Sequence, residues 1–474
     1  MVNSRDRSGV LLSFYKLSVF YTAGVMVLMW WVLNTPLHFD HALLLELSGL
    51  LMSGKEYYSD FIDISPPLHI AYYYPSYLLH NIAGLSVELS LKLYFVAFVT
   101  LSMLLVNNVA VRAKARYLTI YVALALSLLF IGNPRYIMVK DVMSILLMLP
   151  WLLCFVSNVR SSAVVSTIAG IGMVAKPHFL LLWGAVTVWE LYRRKTLRHT
   201  VIDTLPFVLV GITYSLVTLL MFPSFYESIL GLLALYDSEK GMPMLLYVAF
   251  GEVGLLIIAL SIPFYTFKKK DTHARYWLLI VTFLVIGLLQ GVGLHYHFFG
   301  AWIVGCIYFA HVSCEMGKNK ALSAVMLAMF VAINLVVSFF VIKKDLALRE
   351  LYEGVKSEIP VSQGYWTRLS CERSLLGVIA YRDNLKLTPL IHSPWIICPY
   401  FSKPSDDKAE LFLNLILKSY ERGQLNYIFS IKNEEGYDNP YAKVVVSELE
   451  RLGFIGSSKV LDADESNVEI LYLK

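Results

Sequence analysis

The chain has 474 residues, of which 57% are hydrophobic and 16% charged, with a mean hydropathy of +0.61 and a formal net charge of +5. That hydropathy is far above what a soluble domain of this length carries, and it places the chain in a bilayer. The positive balance does not argue for nucleic acid: residues 1–344 hold 25 Lys/Arg against 16 Asp/Glu in short clusters between apolar runs, and residues 345–474 hold 15 against 19. Such clusters are topology signals.

Taken in order, the chain opens with Arg5, Arg7 and Lys16 before an apolar run through Trp30, Trp31 and Leu33. The run is too long for a secretory leader and no small-residue cleavage site follows, so it is read as an uncleaved first span. Further runs of spanning length lie at 92–111, 116–132, 142–158, 201–222, 244–267, 276–294, 298–315 and 321–342, after a first at 13–35. The stretch 162–192 is interrupted by Lys176-Pro177 and is either one kinked span or two short ones. Charge chooses two. Only then do Arg112, Lys114 and Arg116, then Arg160, Arg193 to Lys195, Lys268 to Lys270, Lys318 and Lys320 share the cytoplasmic side. The expectation is a mainly α, polytopic protein of eleven spans in a bacterial inner membrane. Its N-terminus is inside, and a C-terminal domain at 345–474 lies in the periplasm. Lys343 and Lys344 are an exception that a long translocated domain tolerates.

The first outer loop, residues 36–90, is too polar and too broken by Pro66, Pro67 and Pro75 to span, and too apolar for a free loop. Leu43, Leu44, Leu47, Leu50 and Leu51 recur at helical spacing, as in a helix lying in the membrane interface, and tyrosines from Tyr57 to Tyr77 suit the same depth. Gly54 should end this helix and Pro66-Pro67 open the next. Asp60 and Asp63 flank a turn and read as solvated acids.

An acidic residue after span one, an interfacial helix, then Gly-x-x-Tyr-Tyr-x-Asp at Gly54 to Asp60 and Pro66-Pro67-Leu68 resemble the first periplasmic loop of GT-C fold, polyprenyl-phosphate-sugar-dependent glycosyltransferases. That group includes protein O-mannosyltransferases and lipid A aminoarabinose transferases. Three further patches are similar to bacterial members: Arg135 with Asp141 at the top of span four, the Lys176-Pro177-His178-Phe179 turn, and Gln290 to Tyr296-His297. The resemblance implies a membrane enzyme that transfers a sugar from a polyprenyl-phosphate donor to a glycan, lipid or protein acceptor on the outer side. It carries the catalytic acid onto Asp40. Many relatives have Asp-Glu where this chain has Asp40-His41, which leaves the second acid's role unassigned.

The chemistry suits these residue types. A lipid-phosphate donor already carries a good leaving group, so the enzyme must supply a base and charge control. Asp40 is the expected base. Lys176, His297, Arg135 and His178 are the candidates for stabilising the departing phosphate, with Lys176 and His297 first. Asp141 is a second catalytic candidate, and His41, Asp60, Tyr296 and Glu252, the last inside span eight, are secondary ones. Carboxylates suit Mg, Mn or Ca, so Asp40 and Asp141 are also candidate ligands of a divalent ion. His295 and His297, at i and i+2, do not face together on a helix.

Blander readings stand beside each. Asp40 and Asp141 both stand at helix starts, where capping is ordinary, and Lys176 could snorkel from a short helix end. Cys154, Cys306 and Cys314 read as small buried hydrophobes; Cys371 and Cys398 could pair if their domain is exported. The tail alternates a helix at 405–422, a strand at 425–431, a helix at 440–452 and strands at 453–461 and 467–473, which predicts a small α/β domain. Two other classes share some of these features. A lipid-linked polysaccharide polymerase or ligase would share the outer acids, and a transporter or flippase would show repeats and midplane helix breaks.

Overall fold

The computed structural model describes residues 32–33, 39–57, 60–61, 63, 65–115, 117–132, 136–194, 197–226, 229, 270–290, 295–315, 365–368, 386–387, 406–423, 425–433, 436–437, 440–463 and 466–474. The side chains of Asp40, His295 and Tyr296 lie outside that description. So do Arg135, Glu252, Cys371, Cys398, most of the first apolar run, and the runs at 244–267 and 321–342.

The loop expected on the outer side holds three helices. The predicted interfacial helix is α1, Phe39–Met52, followed by Gly54 at φ +79°, a left-handed backbone that favours glycine. Pro67 is the first residue of α2, Pro67–Ala71, since proline brings a preset φ and lacks only an N–H that would go unused there. Helix α3, Tyr74–Ala83, ends on left-handed Gly84. The Ser48 hydroxyl on α1 lies 2.7 Å from the carbonyl oxygens of both Leu44 and Ile70, which staples α1 to α2.

Helix α4, Val87–Arg112, starts on Ser86, whose hydroxyl accepts from the Leu89 N–H at 3.2 Å. Then come α5, Tyr117–Gly132, and α6, Lys140–Val156. Helix α7, Ala163–Ala175, lies so close to α6 that a Cβ at Gly172 would stand 2.6 Å from the Ser144 carbonyl oxygen, the small-residue packing that membrane helices favour. After Lys176, extended at φ −127° and ψ 98°, a 3-10 turn Pro177–Phe179 leads into α8, Leu180–Arg194.

Helices α7 and α8 form a hairpin rather than a kinked rod. Their junction, Lys176, meets Asp141 at the start of α6. Their far ends meet at the other end of α6: Arg275 donates to the Phe155 carbonyl at 2.7 Å and the Asn158 side chain at 2.9 Å, and it pairs with Glu190 at 3.2 Å. Arg275 belongs to α10, Lys270–Leu289, which follows α9, Leu197–Met221. At that same end Arg112 donates to the Arg160 carbonyl at 2.8 Å and Arg193 pairs with Asp271. Arg112, Arg160 and Arg193, three of the basic residues predicted to share one face, lie at this end.

Among the described residues, Val87–Arg112, Thr204–Met221 and Asp271–Leu289 are long and apolar enough to cross a membrane. Leu205, Leu209, Ile212, Leu216 and Leu220 on α9 are exposed, a surface suited to lipid. A 3-10 turn, His295–Phe298, connects to α11, Phe299–Glu315.

In the tail, β1 (Tyr365–Arg368), β2 (Lys386–Leu387), β3 (Tyr427–Asn433), β4 (Gly436–Tyr437), β5 (Ile455–Ala463) and β6 (Ser466–Leu473) form one sheet of order β2-β1-β3-β6-β5, with β4 on β3. The β1–β2 and β1–β3 pairs are parallel, and β3–β6 and β5–β6 antiparallel. Helices α12, Asp406–Glu421, and α13, Pro440–Arg451, pack Ile416, Val445 and Leu449 with Ile428 and Leu471 into a separate apolar core. The helices and long strands fall where the sequence predicts them.

Candidate active site at the loop-facing end of the bundle

Three interruptions in the helices converge on the start of α6. The segment before it is tied to the loop by Tyr73, whose hydroxyl donates to the Met138 carbonyl at 2.9 Å. The Lys176 break reaches it through Asp141, and the His295–Phe298 turn packs against α6 directly. Polar backbone that a helix cannot satisfy is thereby buried against protein, the condition for irregular chain at the edge of a bilayer.

Asp141 stands in the first turn of α6, where it is 1% exposed, and Lys176 is 8% exposed. They form a buried ion pair through Oδ1; Oδ2 of Asp141 has no hydrogen-bond partner among the described residues. Neither bland reading holds: the N-cap is Val139 with no side-chain cap, so Asp141 does not cap the helix, and Lys176 turns inward instead of snorkelling. Two burials explain why the pair survives: each charge compensates the other where water is absent.

The loop roofs this pair. Tyr57 donates to the Ser65 carbonyl at 2.9 Å and packs on Phe61 at 4.7 Å and Phe225 at 5.2 Å between ring centres. Lys140, the first residue of α6, donates to the Ser65 hydroxyl at 3.1 Å. Tyr72 donates to the Ile171 carbonyl at 3.3 Å and shares a 3.4 Å contact with the Ser144 hydroxyl. His69 on α2 is 3% exposed, and burial, then Lys140 and Lys176, hold its imidazole well below the ordinary value of 6.5. His69 and Lys140 were not singled out in the sequence.

The remaining candidates divide. Asp40 is the second residue of α1, at the entrance to the loop. His41 beside it is fully buried, and His297 is buried on its 3-10 turn. His178 is exposed on the turn after Lys176. Asp60 accepts from the Glu56 N–H at 3.0 Å and pairs with Lys55 at 3.6 Å, a partly exposed turn acid as expected. Asp63 corrects the expectation. It is 2% exposed, because its carboxylate turns back to accept the Ser65 N–H at 2.5 Å beneath the Tyr57 cluster. Tyr296 lies on the 3-10 turn by its backbone alone, and Arg135 and Glu252 fall outside the described residues.

A divalent ion fits Asp141 poorly. The Lys176 ammonium already supplies the positive charge on that carboxylate and would repel a second cation. Among the described residues no group of three His, Cys, Asp or Glu side chains is arranged to hold a metal ion.

A helical bundle with a loop of short helices packed over its helix breaks and a small α/β tail is an arrangement shared by two crystal structures of ArnT from Cupriavidus metallidurans. The one bound to undecaprenyl phosphate matches at a TM-score of 0.54 and 12% identity, covering 96% of this chain and 98% of that one. The apo structure matches at 0.50 and 11% identity over 97% and 98%. No family model and no curated protein matches the sequence. At these identities the likeness establishes the fold.

Proposed function

We propose that the chain is a membrane glycosyltransferase that moves a sugar from a polyprenyl-phosphate carrier to a glycan, lipid or protein acceptor on the outer side of a bacterial cytoplasmic membrane. Residues 1–344 are the catalytic membrane unit, and residues 345–474 an exported domain near the acceptor. The observation that carries the reading is the buried Asp141–Lys176 pair roofed by the outer loop, in a fold whose ArnT relative is described as bound to undecaprenyl phosphate.

In the proposed reaction Asp40 takes the proton of the acceptor hydroxyl. The acceptor oxygen bonds to the anomeric carbon as the bond to the carrier phosphate breaks on the opposite face, so the configuration inverts. The phosphodiester carries one negative charge before transfer and the departing polyprenyl phosphate approaches two. Cations fixed beside it therefore act most strongly on the transition state. Lys176 and His297, with Arg135 and His178, are the proposed sources of that stabilisation, and Asp141 holds Lys176 in place.

The test incubates purified protein with radiolabelled polyprenyl-phosphate sugars and a membrane extract, wild type beside Asp40→Asn. Transfer by the wild type and a loss of about 100-fold or more in the variant is expected. Equal transfer by both removes Asp40 from catalysis, and no transfer with any donor overturns the enzyme reading.

A further inference from the structure

Among the described residues of the loop, one buried imidazole leaves both ring nitrogens without a hydrogen-bond partner. His69 is 3% exposed, and neither ring nitrogen has a hydrogen-bond partner among the described residues. A buried donor or acceptor left without a partner is costly, and here a single side chain bears two. The neighbours decide what could satisfy it. Tyr72 presents its ring at 6.2 Å while its hydroxyl is engaged with Ser144 and Ile171. Lys140 gives its ammonium to the Ser65 hydroxyl and forms no ion pair among the described residues. The charge of Lys176 also acts on this imidazole and lowers its pKa, and the first turn of α6 has no side-chain cap, which leaves the positive end of a 17-residue helix facing the loop.

We propose that His69 and Lys140 join Lys176 as the binding residues for the phosphate of the polyprenyl-phosphate donor, an assignment that rests on the transferase reading above. The inventory of groups fits that ligand. The Lys140 ammonium and a helix N-terminus supply net positive charge for an anion that gains charge during transfer, and Lys176, its charge already matched by Asp141, adds donors beside them. The two lysines and the burial keep the imidazole neutral, so it offers one N–H to a phosphate oxygen and one lone pair to a hydroxyl, such as one on the attached sugar. An imidazolium could not accept, and an apolar ring could do neither. The loop closes over these groups through Tyr57, Tyr72 and Tyr73, each tied by its hydroxyl to a backbone carbonyl, so entry of the lipid requires the loop to lift.

A niche kept for a ligand and a structural histidine differ in how stability and binding respond. Full-length protein in detergent is compared as wild type, His69→Phe, His69→Gln and Lys140→Met, with undecaprenyl phosphate and inorganic phosphate as separate probes and apparent Tm measured alongside. The expected result is that His69→Phe weakens undecaprenyl phosphate binding tenfold or more with an unchanged or higher Tm, because the phenyl ring removes two unsatisfied atoms. His69→Gln, which keeps a donor and an acceptor, should stay within a few-fold of wild type, and Lys140→Met should lose tenfold or more. Unchanged binding by His69→Phe overturns the proposal, as does weakened binding only in step with a fallen Tm, the mark of an imidazole bridged by internal water. Inorganic phosphate bound as tightly as the lipid, with the same dependence on the variants, overturns the lipid assignment. Wild-type protein that binds neither probe overturns the transferase reading with it, whereas binding lost by no variant overturns this inference alone.

Discussion

Breaking the Asp141–Lys176 pair should cost far more than removing it whole. Asp141 is 1% exposed and Lys176 8%, so Asp141→Leu leaves an ammonium, and Lys176→Met a carboxylate, without its compensating partner and without water. Truncating one member of such a pair destabilises by about 3–5 kcal/mol, while replacing both with apolar residues of similar volume is often neutral or stabilising. The coupling energy between the two sites should therefore be on the order of 3 kcal/mol or more, well above the few tenths found for independent positions. The assay is a double-mutant cycle on detergent-solubilised protein, with apparent Tm followed by tryptophan fluorescence. The two single variants should fall by several degrees and the double variant should recover most of the loss. Transfer activity should stay low in all three, since a hydrophobic pair restores packing but not the cation. Additive single effects would refute the reasoning, because they would mean that each charge reaches solvent on its own. Full activity in the double variant would leave the pair a structural role only.

Three smaller perturbations probe the loop and the bundle. Burial pushes the Glu46 carboxyl on α1 up to about 8 from its ordinary 4.5, so folding favours the protonated acid. Its contribution is fully present below pH 4.5 and is lost as pH rises toward 8, at no more than about 1.4 kcal/mol per pH unit. Glu46→Gln should flatten the decline in Tm between pH 6 and 8, and an unchanged slope would place that carboxylate in water. A Cβ at Gly49 would stand 2.7 Å from the Tyr77 ring, and one at Gly300 would press into the Phe283 ring. Gly49→Ala and Gly300→Ala should each destabilise by about 1–3 kcal/mol. A smaller partner, Tyr77→Leu or Phe283→Leu, should return part of that loss, and a neutral alanine at either position would mean that the helices separate easily.

The parts of the fold that local chemistry dictates were legible in the sequence. The apolar spacing of Leu43 to Leu51 marked the interior of α1, Phe39–Met52, Pro66-Pro67 marked α2, and Lys176-Pro177 marked the break that became a hairpin. The short strands β1, β2 and β4 were not seen, because two to four residues carry too little pattern. The site was legible only where a residue looked unusual by itself. Asp141 and Lys176 stood out as charges at helix ends. Lys140 was hidden as one more charge beside Asp141, and His69 as one more amphipathic residue in an interfacial segment. Asp63 read as a solvated turn acid for the same reason: it is buried beside Tyr57, whose ring packs on Phe225, a residue far along the chain that no local window contains.

That division explains how the ArnT fold can persist at 12% identity. Span length, interfacial spacing and helix breaks require residue classes rather than residues, so many sequences meet them. A phosphate niche at the end of a bundle is also a class requirement: it needs cations and donors near one point, from whichever elements the packing brings there. In this chain the point is the first turn of α6. Lys140 arrives from α6 itself, Lys176 from the break before α8, and His69 from the roof, from three stretches of sequence with no local relation to one another. A further relative could therefore keep the niche while moving any one of these groups to another element. The pattern to seek is donors that share the top of this helix, with a carboxylate holding one of them in place.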